Sequence, residues 1–249
     1  MNRSAFVFYV SILIVHLSVQ SASAPEAMTA SCNTFTQIYP VAPSEAIPSP
    51  DIRNSHHDFS GASWSGNQIC RPCHVPHNAI TTVPNSPLWS HQLSTASYTV
   101  YSSSTLDAQT NQPLGTTKLC LSCHDGTVAV ENHAGQTNGT RFTSWGKVGT
   151  DLSDDHPVSF VYNTALSTSD GELYDPSTTL SGLGGTIEDD LLDNGRVECS
   201  TCHDPHISRN TQGCSGCHNA HGGFGMTGRT LSLRIDNAGS AFCLTCHKK

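Results

Sequence analysis

Apolar residues run together only once in this chain. Ala5–Val19 is a 15-residue apolar stretch behind Arg3, followed by the small residues Ser21, Ala22, Ser23 and Ala24. That order of positive, apolar and small segments is a secretory signal peptide over residues 1–24. A membrane span needs about 20 apolar residues, and Ser11, His16 and Ser18 interrupt this shorter run. Pro25 directly after Ala24 is a poor acceptor for a peptidase and leaves the cut position open. No second apolar run follows, so the mature chain is expected to have no membrane span. Residues 25–55 hold Pro25, Pro40, Pro43, Pro48 and Pro50 without strand or helix period. Fixed φ angles and missing donors predict an extended arm there, either a linker or a strap lying on a neighbouring subunit. Residues 56–249 read as the folded domain. Its pattern predicts short helical turns and few strands, the best candidates being Tyr98-Thr99-Val100-Tyr101 and Val158–Tyr162.

Composition explains why so few elements are predicted. Only 36% of residues are hydrophobic, 7% aromatic and 13% charged, against roughly 25% charged in ordinary domains. The chain lacks the side chains for a large core, yet it has 11 Cys and 14 His. Its net charge is −8, and −9 once Arg3 leaves with the leader. Phosphate binding needs clustered Lys and Arg, so nucleic acid is excluded as a partner.

Ten of the eleven cysteines repeat one pattern, Cys-x-x-Cys-His: Cys70/Cys73/His74, Cys120/Cys123/His124, Cys199/Cys202/His203, Cys214/Cys217/His218 and Cys243/Cys246/His247. Two thiols three positions apart reach the two vinyl groups of one porphyrin, and the next imidazole reaches the iron. Disulfide frameworks do not need a His after every pair, and zinc ribbons use two pairs per metal, into which five do not divide. The expected cofactors are five covalently bound haem c groups. The expected fold is a multihaem cytochrome c, mostly irregular, with a few short helices, minimal strand and a core of stacked haems. Cys32 is left over, as a free thiol, an intermolecular disulfide or a lipidation site.

The sixth ligand of each iron decides what such a protein does. Two protein ligands confine an iron to electron transfer, whereas an open position admits a substrate. Outside the leader and the motifs, eight histidines remain: His56, His57, His77, His91, His133, His156, His206 and His221. Five are needed, so five bis-histidine haems are expected, with Met226 the one methionine in the haem-bearing region. His77, His206 and His221 each follow a motif histidine by three residues. Imidazoles at i and i+3 lie on one side of the local chain and cannot reach opposite faces of one iron, so each should serve a different haem from its neighbour's. That requires close haem pairs and a contiguous haem chain. His156 gains an extended backbone from Pro157. His91 is a plausible ligand, His56 or His57 is able to reach another subunit, and His133 reads as a solvated loop residue. The acidic stretch Glu188–Asp193 reads as a solvated face, without the spacing of a calcium loop.

Several runs are familiar. Pro87–His91, Leu119–Thr127, Asp151–Phe160, Val197–His206 and Asn237–His247 resemble the outer-surface multihaem cytochromes of metal-reducing bacteria, in particular the OmcE-type extracellular cytochromes that polymerise into nanowires. The resemblance spans about residues 51–249. It implies long-range electron transport by haems stacked along a filament of head-to-tail copies, all bis-histidine, with one distal histidine donated by the adjacent subunit. Carried onto this chain, His57, His77, His156 and His206 match distal positions, with His91 a competitor for one of them. OmcE-type chains have four motifs. The fifth here, Cys214–His218 with His221, is a departure that lies on the main haem chain or branches from it. The resemblance implies an extracellular or cell-surface location, the periplasm being the alternative. It also implies redox proteins or extracellular acceptors as partners. A discrete electron carrier with the same haems is the competing reading. A reductase is a third, but with spare histidines for every motif no enzyme is expected.

Overall fold

The computed structural model describes residues 52–207 and 232–248, apart from Asn54 and Trp145. Residues 1–51, and with them the leader, Cys32 and most of the Pro-rich arm, lie outside the described residues. So do Cys214, Cys217, His218, His221 and Met226.

Short elements are strung along irregular chain. After a 3₁₀ turn at Ser63–Ser65 come β1 (Thr99–Val100), α1 (Gly115–His124), β2 (Asp151–Leu152), β3 (Phe160–Val161), α2 (Thr164–Asp170), α3 (Ile187–Asp190), β4 (Arg196–Val197), α4 (Cys199–Cys202), a 3₁₀ turn at Ala238–Ser240 and α5 (Cys243–Cys246). β1 pairs parallel with β2, Thr99 opposite Asp151. β3 pairs antiparallel with β4, Phe160 opposite Val197. β1 and β3 fall inside the two segments the sequence predicts, β2 and β4 outside them, and each strand keeps only two residues. The mostly irregular fold class is therefore what the structure shows.

A small side-chain core forms around Phe160, Tyr162, Ile187, Leu191, Val197, Leu233 and Phe242. It gathers β3, β4, α3 and the approach to α5. The acidic stretch is only partly the solvated face expected of it. Ile187 precedes it and Leu191 lies within it, both buried, and Asp189 closes a capping box with Thr186. Asp190 accepts from the Ser181 hydroxyl and from Gly185 N–H. Those bonds hold its carboxyl below the usual carboxylate range.

The attachment motifs sit on single helical turns. His74 N–H donates to Cys70 O at 2.8 Å, His203 to Cys199 O at 2.9 Å and His247 to Cys243 O at 3.0 Å. The backbone then turns extended at His203 and His247, which swings each ring off the turn's axis. Among the described motifs only Cys120–His124 lies in a longer helix, the ten residues of α1. A short ladder closes the chain on either side of residues 208–231. His203 bridges Leu233, Asp204 N–H donates to Ser232 O at 2.7 Å, and Arg234 N–H donates to Cys202 O at 3.0 Å.

Candidate haem sites

The four described motifs neighbour one another in chain order. Cys73 lies close enough to raise the Cys123 thiol, and Cys246 close enough to raise the Cys202 thiol. Cys120 and Cys199 hydrogen-bond, and that bond, with burial, holds the Cys120 thiol well above its ordinary value. Burial likewise pushes Cys73 and Cys246 up to about 11 and Cys202 to about 12. Polar contacts fix the Cys120–Cys199 approach. Cys199 N–H donates to Thr117 Oγ1 at 3.0 Å, and the Thr116 and Ser200 hydroxyls meet at 2.5 Å.

The histidines pair across these motifs. His74 and His206 have ring centroids 6.1 Å apart and planes 17° from parallel. His57 and His124 are 5.9 Å apart at 59°, and His156 and His247 are 6.3 Å apart at 79°. A metal–imidazole bond of about 2 Å on each side, plus about 1 Å from nitrogen to ring centre, requires a centroid separation of roughly 6 Å. All three pairs are at that separation. Each pair joins a motif histidine to one of the spare histidines singled out in the sequence. His206 faces His74 and not its neighbour His203.

Hydrogen bonds orient the rings for this role. Nδ1 of His74 lies 2.6 Å from Pro87 O, that of His124 2.7 Å from Gly146 O, and that of His156 2.9 Å from Pro157 O. Nδ1 of His206 lies 2.8 Å from Asp204 Oδ1. An Nδ1–H donated to such an acceptor fixes the tautomer and leaves Nε2 as the ligating nitrogen. The Asp204 bond raises the pKa of His206. Burial and then His124 push His57 down to about 4, which keeps its ring neutral, the state a metal ligand needs.

Residues 208–249 match the family described as the doubled CXXCH motif. That segment contains the motifs at Cys214 and Cys243. The chain carries the signature of a multihaem c-type cytochrome. No curated protein matches the chain. The chain's own residues fit covalently held haem: imidazoles are spaced for an iron, and the polar atoms His57 Nδ1, Trp89 Nε1 and His133 Nδ1 are buried without a hydrogen bond.

The remaining sequence candidates fall elsewhere. His77 is exposed and has no ring contact among the described residues. His91 is 1% exposed, and its two ring nitrogens lie on Gln92 O at 2.9 Å and Ala129 O at 3.0 Å. Its Nε2 is also 3.4 Å from Cys123 Sγ. His133 is not the solvated loop residue expected. It is buried, bridges His91 and packs its ring 5.9 Å from Trp64. The ring of His57 meets His124 of the same chain. Sequence reasoning missed Asp204 as the orienter of His206, although the Asp-x-His spacing carried the signal. It missed the carbonyl acceptors entirely, because backbone groups have no residue code.

Proposed function

We propose that this cytochrome transfers electrons through five bis-histidine haems as the repeating subunit of an extracellular filament. When bound, each haem supplies a one-electron iron couple. The chain's part is to hold irons at fixed neighbouring positions and close both faces of each. The observation that carries the reading is the set of three imidazole pairs. Cys70/Cys73 with His74 and His206 hold one haem. Cys120/Cys123 with His124 and His57 hold the next, and Cys243/Cys246 with His247 and His156 another. Cys199/Cys202 with His203 hold a fourth, and Cys214/Cys217 with His218 the fifth. His77 is exposed and suits a ligand given to His203 of an adjacent copy, the shared ligation that the OmcE-type resemblance implies. His221 is the remaining candidate for the fifth iron. His91 and His133 act as internal clamps, since the buried His91 ring donates its one N–H to a backbone carbonyl and Trp64 packs on His133.

Closed irons leave no position for a substrate, so the protein is not an enzyme in this reading. Among the described residues no helix is long and apolar enough to cross a membrane, and c-type cytochromes are typically exported. A non-closing contact between identical copies generates an open helix. A discrete carrier is favoured by one observation, that three ligand pairs close within a single chain. Cryo-electron imaging of the protein purified from its native cell surface tests the choice. Helical filaments with a continuous haem trace are the expected result, and discrete particles overturn the filament.

A further inference from the structure

Glu198 is 1% exposed and stands where the first turns of α1 and α4 meet. It immediately precedes Cys199, and the Thr117 hydroxyl, three residues before Cys120, lies beside its carboxylate. Ser159 Oγ donates to Glu198 Oε2 at 2.8 Å. Oε1 has no hydrogen bond, and Arg196 Nε, also without one, stands 3.6 Å away. A second buried oxygen without a hydrogen bond, Asp193 Oδ2, lies nearby. A Cβ added to Gly115 would meet Asp193 Oδ2 at 3.0 Å and Glu198 Oε1 at 3.2 Å. Gly115 therefore keeps a small space into which two carboxylate oxygens and one guanidinium nitrogen converge.

The charges in that space do not balance. Asp193 and Glu198 are two negatives against Arg196. The other described groups facing Glu198 are neutral hydroxyls, from Ser159 ahead of β3, Thr117 of α1 and Thr201, whose hydroxyl accepts from Glu198 N–H. A second negative charge in a low-dielectric site is costly and is relieved by proton uptake. Burial holds Glu198 above the usual carboxylate range. Asp193 is less buried and meets the exposed Asn85, whose Nδ2 donates to its Oδ1 at 3.2 Å.

We propose that Glu198 is a redox-linked proton site of the cytochrome, with Asp193 as its connection to solvent. Glu198 acts so only if haems are carried at Cys120/Cys123 and Cys199/Cys202, as proposed above. When a redox partner delivers one electron to either haem, the Glu198 carboxylate takes one proton from water and Oε1 gains the O–H bond. On oxidation the electron leaves to the next centre and the proton returns to solvent. The added negative charge of the electron raises the proton affinity of the carboxylate, which couples the two.

The test uses the full-chain holoprotein and two readouts. Redox-induced infrared difference spectra should show the carbonyl stretch of a protonated carboxyl on reduction, absent in Glu198→Gln. In spectroelectrochemical titrations between about pH 5 and pH 9, one haem potential should fall by up to about 59 mV per pH unit over a window. Glu198→Gln removes that component, leaving only the slope of the haem propionates. Ser159→Ala removes a donor to the carboxylate and moves the window to higher pH, which decides the matter if Glu198→Gln does not assemble. Reversible low-spin titrations with identical pH dependence and infrared spectra in all three proteins overturn the proton site alone. Failure of the haems to titrate as low-spin one-electron centres overturns the electron-transfer reading itself.

Discussion

Replacing His206 with Ala separates covalent attachment of haem from its ligation. The His74–His206 centroid distance of 6.1 Å matches the roughly 6 Å that two metal–nitrogen bonds and the offsets to the ring centres require. Removing one ring leaves an opening the width of an imidazole. Asp204, the hydrogen-bond partner of the lost ring, sits on its Nδ1 side. In the proposed arrangement Cys70 and Cys73 still hold their haem, so intact mass should show all five of the proposed groups. One iron in five should then become high-spin, and integrated electron paramagnetic resonance should assign it one fifth of the total iron. His206→Met should keep that iron low-spin and raise its potential by a step on the order of 0.1 V, within the ≈ 0.8 V that axial ligation spans. A fully low-spin His206→Ala protein would refute the pairing. So would a high-spin fraction near two fifths, because two irons would then depend on one ring.

Asp204→Asn leaves His206 in place but weakens the acceptor on its Nδ1, so potentiometry should show one haem potential moving upward, by less than in His206→Met. His133→Ala should leave the visible and resonance spectra low-spin while lowering thermal stability. An unchanged melting temperature would contradict its role as a clamp. Ile187→Ala empties a fully buried site in the small core and should cost about 2–5 kcal/mol in denaturant unfolding. Gly115→Ala places a methyl against two carboxylate oxygens at φ +46° and should cost about 1–3 kcal/mol, read in the same assay.

The attachment sites were legible because their chemistry is local. Two thiols and an imidazole at fixed spacing need only one turn of chain, and the described motifs each occupy such a turn. The i, i+3 argument at His206 was legible for the same reason, since it excludes a partner by local geometry. Its opposite ring, His74, comes from a turn 132 residues earlier in the chain, and nothing local encodes that approach. His133 misled because an Asn-His-Ala-Gly context looks solvated, while its burial comes from Trp64, 69 residues earlier in the chain. Glu198 was silent as well. A Glu before a motif looks ordinary until Ser159, Asp193 and Gly115 are brought around it from three other segments. The short strands β1 and β3 were partly legible, because apolar patterning is local whereas pairing partners come from a distance.

The ladder joining His203 and Asp204 to Ser232–Arg234 has a consequence for how such proteins change over generations. Wherever two points of a chain are already stitched together, the stretch between them can be lengthened or exchanged without rethreading anything outside it. In this chain that stretch carries a complete Cys-x-x-Cys-His unit. A gene can thus gain or lose a redox centre in a single event while the frame on either side keeps its contacts. The number of centres along such a protein is then free to vary faster than its architecture.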